Sequence, residues 1–243
     1  MESATRPFHS AGARTTKTKR TTKDLCLEAT NFVAQRNDLT CVAAVMLETR
    51  KDESRLKKQR EDISRLNKRN RPKAGVRDFY CEGLKYLIQR AAEEVVEASL
   101  QGCVVICDTP ELGKKSFAAG AIRRGPGAVE NAYRDWYRSG VRVGPSKQHH
   151  EGPLARIGFQ PSVLTGDATY HDMLQIADVV AGVTREWVDA VRTNHSSSWE
   201  LDRFKAVSVR FRRRHGNPDF FGDGFILWPW QNQLWASLKR SVK

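Results

Sequence analysis

The 243-residue sequence contains no apolar run approaching the roughly 20 residues needed to span a bilayer, so no membrane-crossing helix is expected. Its first residues are polar and basic, without the apolar centre of a secretion signal, and none of its five cysteines belongs to a Cys-x-x-Cys pair. An odd, irregular set of thiols argues against a disulfide framework and for reduced cysteines in a cytoplasm. Negative charge is also scarce: 28 Asp and Glu stand against 41 Lys and Arg, a net charge of +13 and a pI near 9.8. That balance favours an anionic partner, most economically nucleic acid, because neutralised phosphates release counterions. No internal repeat is present, and the apolar content suffices for one core.

Residues 1–23 are rich in Ser, Thr, Lys and Arg and read as a disordered basic arm, because they bring too little apolar surface to offset ordering. A single α/β domain is expected over 24–243. Within it, 24–37 has helical spacing with Asp24 as N-cap, and 39–47 reads as a buried strand. Residues 50–73 are a charged insertion, and 193–243 form a C-terminal extension. The clearest helix is 78–101, with Phe79, Leu84, Leu87, Ile88, Ala91 and Val95 on one face and Gly102 as its stop. "CVVIC" (103–107) follows as a short buried strand running into Asp108. Helix, tight glycine, buried strand and then a carboxylate is an α/β arrangement, and the carboxyl end of a sheet is where sites form. A loop over 111–126, a helix over 128–140 ending at Gly140, a second loop over 141–153 and a strand over 155–164 complete the middle.

"YHDMLQIADVVAGV" (170–183) opens a helix expected from about His171 to Arg192. His171, Gln175, Asp178, Gly182, Arg185 and Asp189 recur every three or four residues and form one narrow stripe in an otherwise apolar run. A carboxylate in such surroundings needs a partner if it is desolvated. Asp178 therefore either faces a ligand or metal, or lies on a polar face that meets water or pairs with Arg185.

"LQIADVVAG" resembles the signature near the C-terminus of an uncharacterised bacterial family, domain of unknown function 3800 (DUF3800). The family's Asp-Ser-Lys segment before that signature corresponds here to Asp167, Ala168 and Thr169. "LKYLIQRAAEEVVEASLQGCVVICD" is similar to its middle. The resemblance spans about 39–190. It implies a mixed sheet with flanking helices like that of ribonuclease H, on which carboxylates from strands and the last helix converge on divalent metal. Asp108, Asp178 and Asp167 would then be the catalytic carboxylates, Asp108 and Asp178 the metal ligands, and Gln175 a neighbouring binding group. Mg²⁺ or Mn²⁺ suits such oxygens and serves phosphodiester cleavage. The family's N-terminal Asp-Glu-Ser-Gly strand has no counterpart at the start of this chain. Asp52 in "KDES" is the one nearby substitute; otherwise that first strand is lost or lies upstream of Met1. The alternative function is an inactive nucleic-acid-binding or accessory protein of a mobile element or defence locus.

Other signals carry less. His149, His150 and Glu151 read as a solvated loop, "GKKS" (113–116) lacks the first glycine of a phosphate loop, and Ser197 has no nucleophile-elbow context. "RFRRRHG" (210–216) either presents Arg to phosphate or is a solvated face. Trp228, Trp230 and Trp235 are expected to pack onto the domain rather than stack bases.

Overall fold

The computed structural model describes residues 19–47, 79–108, 128–141, 152–167, 171–194, 198–214, 217–228 and 231–242. Their elements are α1 (Lys19–Gln35), β1 (Ala43–Met46), α2 (Phe79–Glu97), β2 (Ile106–Asp108), α3 (Ala128–Ser139), a 3-10 turn (Leu154–Ile157), β3 (Leu164–Gly166), α4 (Asp172–Thr193), α5 (Ser198–Ser208), β4 (Phe225–Trp228) and α6 (Asn232–Ser241). The class is α/β, as expected. The strands form two two-stranded sheets among the described residues, β1 with β4 and β2 with β3. No helix among these residues is long and apolar enough to cross a membrane. The expected insertion at 50–73, the loop at 111–126 and most of the basic arm lie outside the described residues.

The chain divides into two compact units. The first comprises Met1–Val45, Val104–Thr109 and Val163–Lys243, and the second Met46–Cys103 and Pro110–Ser162.

The first unit is built around α4. Its buried residues, Val179, Val180, Val183, Thr184, Trp187 and Val188, recur at helical spacing and face α1, α5 and α6. Trp187 stacks on Phe204 with ring centroids 3.6 Å apart, and Phe221 and Phe225 meet it edge-on. Phe211, Phe220 and Trp235 extend this aromatic cluster. Trp235 thus packs as expected; Trp228 is half-buried and Trp230 lies outside the described residues. Helix α1 starts before Asp24, where the expectation placed its cap. The Lys23 ammonium lies 5.3 Å above the Trp199 ring of α5, a cation–π contact that supports the additional turn.

In the second unit α2 matches the expected amphipathic helix, with Ile88, Ala92 and Val95 buried. Its stop is Ser99 rather than Gly102. Ser99 has φ +53°, its N–H donates to the Val96 carbonyl, and the Leu100 N–H donates to that of Val95. This is a left-handed cap with paired closing hydrogen bonds, in which glycine is the unstrained residue. Ser99→Gly is expected to raise stability by about 0.5–1 kcal/mol, read as a higher denaturant midpoint at constant slope. A lower midpoint would mean that the serine side chain contributes something the backbone geometry does not require.

The strand expected over 155–164 is corrected. Residues 154–157 form a 3-10 turn, Gly158 closes it with φ +83°, and Phe159 makes only an isolated bridge to Cys103. Two breakers, Gly158 and Pro161, interrupt the apolar run before a ladder can propagate. Helix α3 ends at Ser139 before Gly140, as expected. Its Tyr133 is fully buried, and the hydroxyl donates to the Gln160 carbonyl at 2.7 Å. Burial pushes the Tyr133 phenol up to about 12.

Candidate functional site

The first unit brings the carboxyl ends of two parallel strands together. Ile106 pairs with Leu164, Cys107 with Thr165 and Asp108 with Gly166. Asp108 therefore ends its strand directly across from Gly166, and Asp167 is the next residue along. Helix α4 begins five residues later and packs against β2. Gly166 permits that approach: a Cβ there would stand 3.0 Å from Leu174 Cδ1 and 3.6 Å from His171 Cδ2. The first turn of α4 thus covers the strand ends closely, which fixes where its polar stripe starts.

Along that stripe Gln175 is half-buried, whereas Asp178 is exposed, as is Asp167. Of the two readings of Asp178, the exposed polar face is the one observed. The reason lies in the burial pattern: the packed face of α4 runs through Val180, Val183 and Trp187, and the His171–Gln175–Asp178 stripe lies on the opposite side. Met173, Ala177 and Ala181 are exposed as well, so apolar identity in this helix does not mean burial. Asp178 stands two turns along from His171, about 10 Å by helical rise. Asp189 at the end of the stripe pairs with Arg192 at 3.1 Å. The backbone of Asp108 is described and its side chain lies outside what the structure describes. Among the described residues no three His, Cys, Asp or Glu side chains gather to hold a metal.

The thiols of Cys41, Cys103 and Cys107 are not activated. Burial pushes the Cys107 thiol in β2 above its ordinary value, does the same for Cys103, and takes Cys41 up to about 11. A thiol held protonated is a poor nucleophile, so the chemistry this strand end offers is that of carboxylates and imidazole.

The basic segment after α5 is corrected in part. Arg210 Nε donates to the Ala34 carbonyl at 2.7 Å, closing the end of α1. Arg212 is buried and faces Asp223 at 3.5 Å, and Arg213 donates to the carbonyls of Ser208, Val209, Phe211 and Pro218. These guanidiniums hold the fold together; they satisfy carbonyls left open at helix ends.

No family model matches this chain, and no curated protein or solved structure matches it.

His171 was absent from the expected ligands, although its position just before α4 sets it beside the strand ends. Asp52, the pair His149 and His150 with Glu151, "GKKS" and Ser197 lie outside the described residues.

Proposed function

We propose that the chain is a divalent-metal-dependent nuclease or phosphodiesterase-like domain acting on nucleic acid, with its centre at the carboxyl ends of β2 and β3. The observation that carries this reading is the parallel register setting Asp108 across from Gly166, next to Asp167, under the helix that bears Gln175 and Asp178. Those donors are carboxylate oxygens, which fit Mg²⁺ or Mn²⁺. Such an ion, held by Asp108 and Asp178 with Asp167 beside them, would polarise the phosphodiester and lower the pKa of attacking water. The resemblance to domain of unknown function 3800 and a ribonuclease H-like topology belong to this same reading. The four described cysteines are free thiols, which supports placing the protein in a reducing cytoplasm. Nucleic acid as substrate rests on the net charge of +13.

One set of observations favours a second reading, an inactive nucleic-acid-binding or accessory protein: Asp167 and Asp178 are both exposed and join no group of three potential ligands among the described residues. One experiment separates the two. Mn²⁺- and Mg²⁺-dependent cleavage of single-stranded and duplex DNA and RNA is measured for the intact protein and for Asp178→Asn. The expected result is metal-dependent cleavage that falls at least about 100-fold in Asp178→Asn, comparable to the loss of one electrostatic transition-state group. Absent cleavage, with salt-sensitive binding equal in both proteins, would replace the nuclease reading by the second one.

A further inference from the structure

We draw no further inference here: the strongest candidate, the exposed apolar surface patch at the parallel β2–β3 sheet, where Val104 and Leu164 are each 51 % exposed, carries nothing because nothing among the described residues shows what covers it.

Discussion

Trp187→Ala should lower the stability of the first unit by about 4 kcal/mol, within the range for truncating a fully buried large aromatic residue. Trp187 is only 1 % exposed, stacks on Phe204 at 3.6 Å and donates Nε1–H to Ser241 Oγ at 3.1 Å. The variant loses transfer free energy, its aromatic pairings and the tie to the end of α6, and the rigid helices around it cannot close the cavity completely. In a thermal melt this corresponds to a midpoint lower by about 10 °C for a chain of this size. Trp187→Phe should recover more than half of the loss, because it keeps a ring against Phe204 and surrenders only volume and the Ser241 hydrogen bond. A loss under about 1 kcal/mol for the alanine variant, far below the usual cost of such a truncation, would mean that the aromatic cluster does not hold α4, and with it the placement of the stripe at the candidate site.

Much of this anchor was legible in the sequence. The spacing of Val180, Val183, Trp187 and Val188 marks a helix with one packed face, and the turns before and after it are clear from composition. The same pattern could not tell how wide that face is. Apolar residues on nearly every side left open whether Asp178 meets a ligand or water; in the folded helix it is exposed, as are Met173, Ala177 and Ala181. Width depends on how many neighbours arrive, which is tertiary information. Ser99 is a second case: left-handed backbone at a serine leaves no compositional trace, so Gly102 attracted the stop. The Arg210–Arg214 run is a third. Charge pattern predicts solvent or phosphate for such residues, whereas here open carbonyls and Asp223 take up much of their hydrogen-bonding capacity. The strand ends were read more closely, because the helix-glycine-strand-carboxylate order already placed Asp108 at a carboxyl terminus. His171 was legible only as the first residue of the stripe: its place against Gly166 requires knowing that β3 lies parallel to β2, and Ile106 and Leu164, distant in sequence, become direct neighbours only on folding.

Gly224→Ala should cost about 3 kcal/mol, at the upper end of what overpacking usually does, because the new methyl would meet backbone rather than a movable side chain. A Cβ at Gly224 falls 2.6 Å from the Arg212 carbonyl oxygen, 2.7 Å from the Arg212 nitrogen and 2.8 Å from Phe211 Cβ. The contacted segment cannot shift freely. The Arg212 N–H donates to the Cys41 carbonyl at 2.9 Å, the Cys41 N–H to the Arg210 carbonyl at 2.7 Å, and the Ala43 N–H to the Gly224 carbonyl itself at 2.8 Å. Three stretches of chain therefore cross at this glycine, and room made for a methyl would strain the hydrogen bonds joining them and the Arg212–Asp223 pair. Gly222→Ala is the informative comparison. Gly222 has φ +91°, but a methyl group there would meet nothing within 4 Å, so only its backbone preference opposes substitution, at about 1–2 kcal/mol. Chemical denaturation of the two variants side by side should show Gly224→Ala as the more damaging. The reverse order would mean that the crossing strands part easily and that the left-handed turn at Gly222, not the close approach at Gly224, fixes how the segment before β4 meets Arg212.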